Sequence, residues 1–145
     1  MKIAEISINY KSLKTDIEPQ KICTSQDAAK FLRSIWSERI EYVEESYLIL
    51  LNRANKILGY LKLSEGGTSG TVVDVKMILQ ASLKANAHGI ILFHNHPSSS
   101  LKPSNEDILL TKRVKEAAKT MDVLLLDHII LTADSYYSFA DEGML

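Results

Sequence analysis

The residues best equipped for chemistry are His94-Asn95-His96-Pro97 and, after a polar stretch over 98–103, Ser104-Asn105-Glu106-Asp107. Two imidazoles stand two apart, directly after the apolar run Ile90-Ile91-Leu92-Phe93. In a strand, residues i and i+2 point the same way, so His94 and His96 share a face at or just beyond the strand's end. Pro97 has no N–H to give and stops the ladder. Asp107 falls in the first turn of the helix that Ser104 opens, where the positive helix end favours a carboxylate. Two neutral nitrogens and one oxygen anion form a mononuclear metal site with a fourth tetrahedral position for water, and zinc lowers the pKa of such a water to about 7. Ser104-x-x-Asp107 also reads as an N-cap serine with an acidic partner at N3. The two roles are compatible, because a cap that fixes the helix start also fixes where Asp107 points.

The elements that must hold these groups follow from periodicity. Lys2 to Tyr10 alternates weakly and predicts a strand, and Pro19 punctuates the link that follows. Thr24 or Ser25 caps a helix to about Glu38, with Ala28, Phe31, Leu32, Ile35 and Trp36 at helical spacing. Glu45–Leu51 is a strand, and a turn over Asn52–Asn55 leads to another from Lys56 to Leu63. Asp74 caps a helix to about Asn86. Gly89–Phe93 is wholly apolar and so belongs at the centre of a sheet. A helix from Ser104 to about Met121, strand residues from Val123 to Thr132 and an edge strand Tyr136–Phe139 complete the chain. The expected fold is α/β, a single mixed sheet flanked by helices, with an N-terminal arm over 1–40 and the body over 41–145.

Composition narrows the function classes. The 145 residues are 46% hydrophobic and 24% charged, ordinary for a globular domain. A net charge of −1 supplies no basic footprint for nucleic acid. One cysteine, Cys23, cannot close an internal disulfide, and the N-terminus lacks the apolar core of a signal peptide, so a cytoplasmic setting is expected. No stretch has the length and apolarity to span a membrane. The Gly66-to-Gly70 loop lacks the Gly-Lys-Ser/Thr ending of a phosphate loop.

His94-x-His96, then Ser104 and Asp107, resembles the JAMM signature of the JAB/MPN-domain metalloproteases. The RadC-like branch of that family is closer still. His94-Asn95-His96-Pro97-Ser98, Pro103-Ser104 with Asp107 and Thr111, Asp127-His128-Ile129-Ile130 and the run Tyr136 to Gly143 are all similar to it. The resemblance runs from about Glu45 to the C-terminus. It implies the JAB/MPN layering, also like that of cytidine deaminases, with His94, His96 and Asp107 as zinc ligands. It implies that Ser104 helps to stabilise an oxyanion and that an upstream glutamate acts as general base. Glu45 is the preferred match for that base. Glu44 is the alternative, and strand alternation lets only one of the two face the metal. Where the branch has glycine after His-Pro-Ser, this chain has Ser99 and Ser100, so the loop is expected to bend differently.

The function implied is a zinc metallohydrolase acting on a peptide or isopeptide bond, its water activated by Glu45. Two other classes stay open. One is a DNA-repair-associated protein that binds or cuts DNA, as the label of RadC-like proteins suggests. Charge does not support it, and no glycine-bearing helical hairpin precedes Glu45. The other is a non-catalytic MPN-type scaffold. Asp127-His128 reads either as support for the site or as a pair at the core's edge.

Overall fold

The structure, a computed structural model, describes residues 2–5, 20–67 and 72–145. Helix α1 spans Ser25–Ile35, capped by Thr24 in a reciprocal box with Asp27. Strands β1 (Glu45–Leu51) and β2 (Ile57–Glu65) form a hairpin, and helix α2 (Val75–Lys84) follows its Asp74 cap. Strand β3 (Gly89–Asn95), helix α3 (Asn105–Thr120), strand β4 (Leu124–Leu131) and strand β5 (Tyr136–Ser138) complete the order. The strand expected from Lys2 to Tyr10 lies for its greater part outside the described residues, as does most of the Gly66-to-Gly70 loop.

One mixed sheet of order β2-β1-β3-β4-β5 results. Strand β3 is central, antiparallel to β1 and parallel to β4, as its unbroken apolar run requires. Alternation sorts the sheet into two buried faces. Leu48, Leu50, Ile90, Leu92 and Leu125 pack with Val75 and Ile78 of α2 and Val114 and Ala118 of α3. Tyr47, Ile49, Leu51, Ile91, Phe93, Ile129 and Leu131 pack with Ala28, Ala29 and Leu32 of α1. The molecule is therefore three-layered, helices on both sides of the sheet, the α/β layering expected.

Two details of pairing decide what faces the histidines. Ser46 stands opposite His94 across the β1–β3 ladder. Between β3 and β4 a bulge separates the pairs Ile90–Leu125 and Ile91–Asp127. Beyond it Leu92 pairs with His128 and His94 with Ile130, which turns His128 onto the α2/α3 face and Asp127 onto the other.

Candidate metal centre

His94 lies inside β3 and is almost fully buried, while His96 sits one residue beyond the strand. The His96 N–H still reaches the Leu131 carbonyl at 2.9 Å, so both histidines are anchored by sheet hydrogen bonds. Helix α3 lies over the same face. It starts beside them because Ser104 Oγ accepts from Asp107 N (3.0 Å) while Asp107 Oδ2 accepts from Ser104 N (2.8 Å). This capping box fixes the Asp107 carboxylate toward the imidazoles.

Three side chains that could hold a metal ion converge. His94 Nε2 is 3.0 Å from His96 Nε2 and 3.2 Å from Asp107 Oδ1, and His96 Nε2 is 3.3 Å from Asp107 Oδ2. Tetrahedral zinc with bonds of about 2.0–2.1 Å requires ligand separations of about 3.3–3.4 Å. The contacts of 3.0–3.3 Å, one imidazole to each carboxylate oxygen, come near that spacing. The far side of each ring is already engaged: His96 Nδ1 donates to the Ser100 carbonyl (2.8 Å) and His94 Nδ1 meets His128 Nε2 (2.8 Å). Both Nε2 atoms are thus left to face the carboxylate, a donor set suited to a divalent cation. Among the described residues it is the one such cluster of histidine, cysteine and carboxylate groups.

Electrostatics agree with the geometry. Burial works to raise the Asp107 carboxyl, but the neighbouring His94 and His96 rings and the Ser104 N–H hold it well below the usual carboxylate range. The Asp107 hydrogen bond raises His96 above the ordinary imidazole value against the effect of burial. His128 is fully enclosed, and burial first, then the nearby His94, drives it well below that value.

The two glutamates part company. Glu44, half-buried, lies on the His94 side of the sheet, where His94, His96 and Asp107 all act on its charge. Burial raises its pKa, and the two imidazoles work the other way. Glu45, the residue preferred from sequence, faces the α1 side and does not join the cluster. Its carboxylate accepts from Ser37 Oγ (2.7 Å), Arg39 (3.0 Å) and Lys62 (2.8 Å), and Glu65 joins the same network through Arg39 and Lys62. The placement follows from register: Ser46 opposite His94 puts residue 44, not 45, on the histidine face. Glu45 is fully buried.

Asn95 had no role in the sequence reading. It points away from the two histidines that flank it, is fully buried, donates to the carbonyls of Ile40 (2.7 Å) and Val43 (2.8 Å), and accepts from Glu45 N (2.7 Å). It therefore ties the chain on both sides of Glu44 to the strand that leads to the two histidines. Ser99, where the family pattern has glycine, adopts φ 65°, the left-handed conformation that glycine takes freely. The loop thus keeps a glycine-type bend in spite of the serine, and the bend presents the Ser100 carbonyl to His96. Asp127 faces away from the metal cluster. It accepts from Ser138 Oγ (2.6 Å) and Ala140 N (3.0 Å), and burial raises its pKa against those bonds.

The family model described as "RadC-like JAB domain" matches residues 22–144. A UPF0758 protein of Flavobacterium johnsoniae is 40% identical over 143 residues, 98% of this chain and 62% of its own length. One of Porphyromonas gingivalis is 47% identical over 103 residues, 70% of this chain and 45% of the relative. One of Aquifex aeolicus is 37% identical over 143 residues, 99% of this chain and 59% of the relative. The chain spans about three fifths or less of the length of these curated relatives.

Proposed function

From its place in the RadC-like JAB domain family, to which this chain belongs, and from its His-His-Asp cluster, we infer that the protein is a zinc-dependent hydrolase of peptide or isopeptide bonds. The observation that carries this reading is the triangle of His94 Nε2, His96 Nε2 and an Asp107 carboxylate at zinc-ligand separations, with Glu44 on the same face.

His94, His96 and Asp107 hold the metal. A zinc ion there would polarise the scissile carbonyl and make hydroxide available near neutral pH. Glu44 takes the proton of the attacking water and returns it to the leaving nitrogen, and partial burial that raises its pKa suits it to both transfers. The Ser104 hydroxyl already accepts from Asp107 N, so its own proton is free to point at the oxygen that gains charge during attack. Glu45 takes no part in the chemistry. With Arg39 and Lys62 it locks the segment that delivers Glu44.

The test uses the purified chain with bound metal quantified, and peptide-linked and isopeptide-linked fluorogenic substrates. One zinc per chain and zinc-dependent cleavage are expected. Glu44→Gln should keep the metal and lose about 10²–10⁴-fold in turnover, whereas Glu45→Gln should keep its turnover wherever it remains folded. Full turnover in Glu44→Gln would reject the assignment of the base.

A further inference from the structure

We propose that His128 and Thr111 form a directional hydrogen-bond relay that fixes the tautomer of His94, leaving its Nε2 lone pair free for the metal. The proposal rests on the metal reading of the site and extends it to two residues that do not touch the ion.

The direction of the relay can be read from one proton. A threonine hydroxyl has a single hydrogen to give. Thr111 Oγ1 lies 2.7 Å from the Asp107 backbone carbonyl, which can only accept, and 2.6 Å from His128 Nδ1. The hydroxyl hydrogen therefore goes to the carbonyl, a bond back to the preceding helical turn. The Thr111 oxygen is left to accept from His128 Nδ1–H. His128 is wholly enclosed, with Thr111 and His94 rather than any carboxylate as its side-chain partners. A second proton on its ring would be a buried cation without a counter-ion. His128 Nε2 is then a bare acceptor, 2.8 Å from His94 Nδ1, and His94 must donate. In the neutral form that a metal ligand must take, the single His94 proton is then on Nδ1, and Nε2 turns its lone pair toward His96 Nε2 at 3.0 Å and Asp107 Oδ1 at 3.2 Å.

Packing holds the relay in place. The His128 ring stacks on Phe139 at a centroid distance of 4.8 Å and an interplanar angle of 12°. Thr111 is buried one turn after Asp107 on α3. The relay begins at one ligand, His94, and ends on the backbone of another, Asp107. A displacement of α3 along the sheet would thus disturb the orientation of both. His128 and Thr111 are positioning residues: they act through His94.

Long-range ¹H–¹⁵N correlation on histidine-labelled, metal-free protein at mildly alkaline pH reads each tautomer directly. The expected result is a proton on Nδ1 of both His128 and His94, with a through-hydrogen-bond nitrogen–nitrogen coupling between the two rings. A proton on Nε2 of His128 would overturn the relay. Because replacing a fully buried His128 endangers folding, the companion variants are at Thr111. Thr111→Val should weaken zinc about tenfold, the lower end of the range for partners of metal ligands, with mixed His128 tautomers, and Thr111→Ser should restore both. Wild-type zinc affinity in Thr111→Val would also sink the proposal. If the wild-type chain binds no zinc, the metal reading falls, while the tautomers of the metal-free protein still decide the relay.

Discussion

Asn95→Ala gives the sharpest test of how the strand that carries the histidines is tied to the segment that carries Glu44. The Asn95 side chain makes three hydrogen bonds of 2.7–2.8 Å, all to backbone groups on either side of Glu44. Alanine would leave the Glu45 N–H buried without a partner, at a cost of about 1–3 kcal/mol. The Ile40 and Val43 residues are only half-buried, so water can reach their carbonyls and each loss is smaller, about 0.5–1 kcal/mol. The sum is about 3 kcal/mol, which for a chain of this size lowers Tm by roughly 10 °C. Urea unfolding followed through Trp36 fluorescence suits the measurement. It is the single tryptophan, and its ring lies 4.5 Å from that of Tyr47 beside the segment in question. Asn95→Asp provides the control of sign. It keeps the acceptor for Glu45 N but replaces the one nitrogen that donates to both carbonyls with an oxygen facing them, so at neutral pH it should be less stable than the alanine variant. Zinc affinity in Asn95→Ala should stay within a few-fold of wild type, because His94 and His96 keep their own strand contacts. A loss under about 1 kcal/mol, or an aspartate variant as stable as wild type, would refute the clamp.

Three other perturbations have definite outcomes. Glu45→Gln should destabilise by about 1–2 kcal/mol at neutral pH, less than for a fully enclosed ion pair because water can solvate the leftover cations. Burial works to raise the Glu45 carboxyl, but bonds from Lys62, Ser37 and Arg39 hold it below its usual value. Its contribution is therefore complete above that value and lost as pH falls through the depressed folded value, so wild-type and variant unfolding free energies should converge in acid; a gap that widens there would contradict the assignment. Zinc at a hundredfold excess over its dissociation constant should stabilise the chain by about 2.7 kcal/mol in thermal unfolding, and Asp107→Asn, which keeps an acceptor for Ser104 N, should remove most of that gain. Ser99→Gly should relieve a left-handed serine and raise stability by up to about 1 kcal/mol in urea titration; a loss would show that the serine side chain matters more than its backbone.

What the sequence disclosed about the site is what lies close along the chain. His94, His96, Ser104 and Asp107 belong to one strand, one loop and one helix start, and their relative placement follows from the strand period and a capping box. The strands and helices of the body were legible for the same reason. The choice between Glu44 and Glu45 was not, because it depends on the register of β1 against β3, a contact between distant parts of the chain. Polar–apolar alternation could have marked the faces of β1, but all seven of its residues are buried and Leu48-Ile49-Leu50-Leu51 is apolar on both sides.

The same reasoning explains why Asp127 and His128 could not be assigned from sequence, and the bulge between Ile90 and Ile91 supplies the physical cause. Without it, uninterrupted parallel pairing from Ile90–Leu125 would set Ile91 against Leu126 and Leu92 against Asp127. Leu92 and His94 share a face, so a carboxylate would then have projected beneath the His94 ring. The extra residue advances β4 by one and sets His128 there instead, within 2.8 Å of His94 Nδ1. A carboxylate in that buried position would bring a second negative charge beside Asp107, whereas a neutral imidazole can hydrogen-bond to His94 without adding charge. Asp127, turned to the opposite face, uses its carboxylate on Ser138, the Ala140 N–H and its neighbour's N–H, and so fixes the segment that leads to Phe139, the ring on which His128 stacks. One inserted residue thus separates the two members of Asp127-His128 into an anchor on one face of the sheet and a partner of His94 on the other.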